Sequence, residues 1–191
     1  MKKIYAVVAA LFVAATVSAQ TTWNIDKTHS KIGFSATHMV VAETEGTFKD
    51  FDATVVSKAD DFNGAEVSFT AKVASINTEN EKRDGHLKSA DFFDAEKFPE
   101  VSFKGTLVKE GNKYKLKGDF TMKGVTKKAE FDVVYGGSIN TGRGMKAGFK
   151  LTGVINRKDY NVSWSSTLAG GEMVVGDDVQ ISCKIELDKK A

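Results

Sequence analysis

The side chains able to do chemistry are few and scattered. His29, His38 and His86 are the only histidines, and they stand too far apart to give the short ligand spacing by which a sequence announces a metal site. The chain has no G-x-S-x-G elbow and no glycine loop of the kind that cradles phosphate. No nucleophile, base and orienting acid form a recognisable set, so the sequence offers no support for an enzyme. Cys183 is the single cysteine. It falls on the apolar parity of a strand-like run, where a small buried hydrophobe is expected and apolar surroundings raise the pKa of a thiol. Arg157 and Asp159 flank Lys158 at the end of another run. They would either pair with each other at a rim or meet the polar head of a ligand.

What the sequence does carry in quantity is period-two alternation, the pattern of strands with one buried and one wet face. Ile32, Phe34, Ala36 and His38 share one parity, as do Val67, Phe69, Ala71 and Val73. Val101 to Leu107, Tyr114 to Met122 and Ala129 to Tyr135 repeat the pattern. The cleanest runs are Met145 to Ile155 and Val179 to Leu187. With Trp23 to Asp26 and Phe48 to Val56 this makes about eight or nine strands in meander order. Turn residues separate them at Asp61 to Gly64, Glu110 to Asn112, Lys123-Gly124, Gly136 to Gly144 and Gly170-Gly171. The expected fold is all-β, an antiparallel up-and-down β-barrel, with closure favoured over a sandwich because it leaves no long edge. Gly33, Gly105, Gly118 and Gly153 lie inside strands, either to let the barrel turn corners or simply weakening their strands.

The stretch from Thr78 to Glu100 breaks the pattern. Thr78 with Glu81 has the spacing of a capping box, and the only proline, Pro99, comes near its end. One or two short helices are expected in this insertion. Its Leu87, Phe92, Phe93 and Phe98 would serve either as a lid across a barrel mouth or as a plug of its end.

At the N-terminus Lys2 and Lys3 precede the uncharged run Ile4 to Val17, followed by Ser18-Ala19. This reads as a signal peptide over residues 1–19 with cleavage near Ala19, and the run is shorter than the roughly twenty residues a spanning helix needs. No cysteine follows the cut to carry a lipid anchor. Removing both leader lysines leaves the basic count equal to the 25 acidic residues. A neutral domain without basic clusters is a poor partner for nucleic acid. Residues 20–191 suit one domain whose core needs no disulfide.

The chain resembles the YceI-like, polyisoprenoid-binding family of bacterial periplasmic proteins over nearly all of residues 20–191. The ordered pieces are Asp26 with His29-Ser30, then Ile32-Gly33-Phe34 and His38, Gly46-Thr47-Phe48, Asn77-Thr78, Arg83 to Leu87, and Asp91-Phe92-Phe93 with Phe98-Pro99. Gly118-Asp119-Phe120, Gly124 to Lys127, Asn156 to Tyr160, Trp164 and Val175 to Val179 complete the set. Asn161 departs from the Gly more usual after the aromatic.

The resemblance implies a lipocalin-like barrel whose apolar cavity holds an isoprenoid chain, such as a polyprenyl phosphate or a quinone tail, as ligand, with no cofactor and no metal. Phe34, Phe69, Phe103, Phe131, Phe149 and Trp164 are then wall candidates, with Phe92 at the mouth. His38, His86, Arg157 and Asp159 are candidates for the head-group end. The expected function is that of a periplasmic or secreted carrier of an amphipathic isoprenoid or similar long-chain amphiphile, without a membrane anchor. A filled barrel acting through its surface, in protein interaction or envelope stress, is the alternative, since alternation alone does not separate a hollow barrel from a packed one. Oligomeric state stays open, a homodimer included.

Overall fold

A computed structural model describes residues 20–190, so the signal-peptide reading falls outside the described residues. Eleven strand segments build eight continuous walls. β1 (Thr21–Ile25) and β2 (Lys31–His38) are two halves of one bent strand, and β3 (Ala42–Phe48) and β4 (Phe51–Ser57) are halves of the next. β5 (Ala65–Lys72) continues through a single 3-10 turn into the short β6 (Ile76–Asn77). The remaining walls are β7 (Glu100–Glu110), β8 (Lys113–Met122), β9 (Val125–Asn140), β10 (Met145–Asn156) and β11 (Val175–Lys189). Every wall is antiparallel to its neighbours in sequence, and β11 closes the ring by pairing with both β1 and β2. The fold is the expected all-β up-and-down barrel.

Register follows from what each face must do. Across β8 and β9, Lys115 stands opposite Asp132, Lys117 opposite Glu130 and Asp119 opposite Lys128. The first and last of these pairs close to 2.9 and 2.8 Å on the outer surface. Exposed pairs of this kind contribute little, because water screens them, but the same register turns Tyr114, Leu116, Phe120, Phe131 and Val133 inward and buries them. A slip of one residue would exchange the two faces, and burial of the aromatic face therefore holds the register. The tight turn between β8 and β9 places Lys123 and Gly124 at φ 46° and 75°, the paired positive dihedrals that suit a two-residue hairpin.

The boundaries differ from the alternation in instructive places. The polar Ala42-Glu43-Thr44-Glu45-Gly46 lies in strand β3, although it shows no apolar parity. β9 runs through Gly136-Gly137 to Asn140, so its turn is confined to residues 141–144 rather than beginning at Gly136. In the insertion there is one helix, α1 (Glu81–Lys88), and its N-cap is Asn80, whose side chain accepts from the Arg83 N–H, not Thr78. Thr78 instead donates its N–H and hydroxyl to the buried Asp84 carboxylate at 2.8 and 2.6 Å. Asn161 adopts φ 60°, the left-handed conformation that Gly takes most easily and Asn tolerates.

The two ends are closed differently. At the end that carries both termini of the barrel, the β4–β5 turn folds Phe62 inward, at 1% exposure and φ 60°. Its ring touches Trp23, Tyr135 and Phe149 with centroids 5.1, 5.5 and 5.1 Å away. The Tyr114 hydroxyl donates to the Asp61 carbonyl at 2.7 Å and pins the turn. The opposite end is covered by α1 and the turns after it, together with the β10–β11 loop.

Candidate functional site

Between these ends the inward-facing side chains leave a cavity of about 160 Å³. Every side chain on its wall is a hydrocarbon or aromatic group except the thiol of Cys183. Such a space has no partners for ordered water and stays available to an apolar guest; its volume is near that of apolar cavities that take a benzene-sized molecule. Phe34, Phe48, Phe69 and Phe149 point inward yet are only partly buried, so the wall is open to the lumen rather than packed shut. Burial pushes the Cys183 thiol up to about 11. This removes the thiolate that nucleophilic chemistry would need.

Five of the predicted residues, Phe34, Phe69, Phe103, Phe131 and Phe149, lie together on this wall. His38, His86, Phe92, Arg157, Asp159 and Trp164 do not line it. Trp164 belongs with Phe92 and His86 in a ring cluster over the covered end, with centroids 5.0 to 5.3 Å apart. His86 also meets Asp91 at 2.9 Å. His38 ends β2, opposite Ala42 and Val175.

Arg157 departs most from expectation. It is buried to 3% exposure, and its guanidinium is spent on the β10–β11 loop and the first residues of β11. Nε donates to the Gly176 carbonyl at 2.8 Å, and Nη1 donates to those of Val162 and Trp164, each at 2.7 Å. Nη2 donates to the Asp177 carboxylate at 3.1 Å and to the Val175 carbonyl at 3.4 Å. An arginine with its donors so engaged has none to offer a head group. Nor does it pair with Asp159, which faces outward to Lys127 at 2.8 Å. The role of Arg157 is to hold the loop that presents Trp164.

Of the rings, Phe48 and Phe120 also line the cavity and Phe62 seals its end, although none of the three stood among the expected site residues. Phe62 stands in a segment of turn residues, and its only signal was a large aromatic where a turn needs none.

Among the described residues, one group has the spacing of metal ligands: Asp26, His29 and Glu186. The ammonium of Lys146 already stands among these carboxylates, 3.0 Å from Asp26, 2.7 Å from Glu186 and 2.8 Å from Asp188. The His29 hydrogen bond, followed by that of Lys146, holds the Asp26 carboxyl far below the usual carboxylate range, and Asp26 in turn raises His29. The cluster ties the break between β1 and β2 to β10 and β11, outside the lumen.

Comparison with known proteins bears on the whole barrel. The sequence profile described as the YceI-like domain matches residues 23–187. A UPF0312 protein of Staphylococcus aureus is 36% identical over 168 residues, 87% of this chain and 96% of the relative. The crystal structure of the Campylobacter jejuni YCEI protein superposes with a TM-score of 0.69 at 32% identity, over 87% of this chain and 96% of that one. A domain from Saccharophagus degradans, described as polyisoprenoid binding and implicated in plant cell wall breakdown, superposes with a TM-score of 0.66 at 11% identity, over 88% and 98% of the two chains.

Proposed function

The chain belongs to the YceI-like family, and we propose that it is an exported binding protein that carries or sequesters the hydrocarbon chain of an amphipathic isoprenoid, a quinone tail or a similar lipid. The observation that carries this reading is the cavity wall, which is apolar throughout and lies inside a closed barrel. The polyisoprenoid ligand of the Saccharophagus degradans domain supports the choice of chain.

The lumen supplies affinity in one currency. Each methylene taken from water contributes about 0.8 kcal/mol, and a wall without donors or acceptors favours every apolar carbon alike. A charged head drawn into it would lose its water without a partner, so the head stays outside. Phe62 seals one end, which leaves the end covered by α1 and the β10–β11 loop as the place for the head group. His38 at the end of β2 and His86 in the ring cluster over that end stand where a head group would emerge, while Arg157 serves the loop. Export follows from the leader over residues 1–19, and release into the periplasm or beyond would give the barrel access to envelope lipids.

Purified protein extracted with organic solvent under denaturing conditions, followed by mass spectrometry, tests the reading. A co-purified prenyl or other long-chain amphiphile is expected. Absence of any such lipid, together with no uptake of added isoprenoid, would overturn it. The modest cavity volume favours the second reading, a filled barrel acting through its surface. That reading requires Phe69→Trp to destabilise the fold by overpacking, whereas an open lumen accepts the larger ring.

A further inference from the structure

We propose that Gly46 and Gly153 are specificity determinants: each gives one phenylalanine ring a seat against the wall, and together the two seats set the length and bulk of chain the lumen takes. The inference rests on the lumen being the binding site.

Phe34 and Gly46 face each other across β2 and β3. A Cβ added to Gly46 would stand 2.3, 2.8 and 2.9 Å from Cζ, Cε2 and Cε1 of the Phe34 ring, and those are its three nearest neighbours. A Cβ added to Gly153 of β10 would likewise stand 2.5 Å from Cδ1 of the Phe131 ring, with two more atoms of that ring next. The Phe34 ring therefore lies flat on Gly46, whereas the Phe131 ring turns its edge to Gly153. Neither glycine has a positive φ, so the backbone makes no demand for glycine at either place. Glycine inside a strand costs roughly 0.5–1 kcal/mol relative to alanine, and here the ring above it is what glycine accommodates.

The other paired glycines differ in kind. A Cβ on Gly105 would meet the Lys117 carbonyl oxygen, and one on Gly118 the Lys104 carbonyl oxygen, both closer than 2.5 Å. Those two answer to close approach of the backbones of β7 and β8. At Gly46 and Gly153 the three nearest atoms all belong to one side-chain ring. Phe34 and Phe131 both line the cavity, and their walls lie on different sides of the barrel. A methyl group on Gly46 lifts the Phe34 ring off the wall, and one on Gly153 pushes the Phe131 ring away from β10 by its edge, each toward the space a chain would fill.

Native mass spectrometry with geraniol, farnesol and geranylgeraniol tests the idea on the mature protein. For the wild type, affinity should rise with chain length. In Gly46→Ala and in Gly153→Ala the ratio of geranylgeraniol to geraniol affinity should fall at least tenfold, and a second change, Phe34→Leu or Phe131→Leu respectively, should restore it. Phe34→Leu and Phe131→Leu alone, which add nothing to the wall, should raise that ratio. Folded alanine variants that keep the wild-type length dependence would overturn the inference, as would leucine variants that leave it unchanged when the alanine variants do not fold. A wild type that binds none of the three alcohols would instead overturn the binding reading itself, and the inference with it.

Discussion

Phe92, from the insertion after β6, and Trp164, from the β10–β11 loop, meet with ring centroids 5.0 Å apart, and the edge of His86 reaches both. This contact joins two segments distant in sequence over the end of the barrel that Phe62 does not seal. It is made of rings, and ring pairs contribute about 0.5–1.5 kcal/mol each beyond their burial.

Trp164→Ala removes two such pairs. Dissociation of a bound isoprenoid alcohol should become about tenfold faster, the equivalent of about 1.4 kcal/mol, as read by stopped-flow displacement. An unchanged rate would mean that chains leave by another route.

Arg157→Lys keeps the charge but cannot reproduce a planar fork that reaches four carbonyls and a carboxylate. Disturbing a buried charged network of this kind costs about 3–5 kcal/mol, and urea denaturation should show a loss at the lower end of that range. Affinities for an isoprenoid alcohol and for its phosphate ester should change in equal proportion, because Arg157 touches the loop and not the head group. Selective loss of the phosphate ester would restore the head-group role the sequence had suggested.

The cluster around Asp26 predicts a pH dependence of stability. Asp26 raises His29 above its ordinary 6.5, so the imidazolium contributes fully below that value and its contribution fades as pH climbs through the raised one. The Asp26 carboxylate is shifted the other way, and its contribution is present above the ordinary 3.8, to be lost only as pH falls through the much lower folded value. Melting temperature should therefore decline as pH rises past 6.5 toward mildly alkaline conditions, and Asp26→Asn should flatten that decline. An Asp26→Asn profile parallel to that of the wild type would remove His29 as the titrating group.

Barrel topology was legible because alternation is a local signal and eight meandering walls repeat it. Parity turned Phe34, Phe69, Phe103, Phe131 and Phe149 inward, and the family resemblance, not parity, implied that this face is a ligand wall. Residues whose role depends on where loops return in space were not legible. Arg157 and Asp159 are neighbours in sequence, and only the fold sends one inward to the loop at Val162 and Trp164 and to the start of β11, and the other outward to Lys127. Phe62 was hidden because turn chemistry describes the backbone of residues 61–64 and is silent about a ring folded back into the barrel. Gly46 and Gly153 carry a meaning that lies in Phe34 and Phe131, one strand away, and no run of residues along a single strand shows it.

The central claim is that the chain of the ligand lies inside the barrel against a wholly apolar wall. Methyl-labelled protein titrated with geranylgeraniol and followed by NMR tests it most directly. Methyl resonances of Leu116, Val133, Leu151, Ile181 and Ile185, all on the cavity wall, should shift and saturate together, while those of the exposed Val134, Ile139 and Val154 stay in place. Shifts confined to the exposed methyls, or none at any methyl, would contradict it.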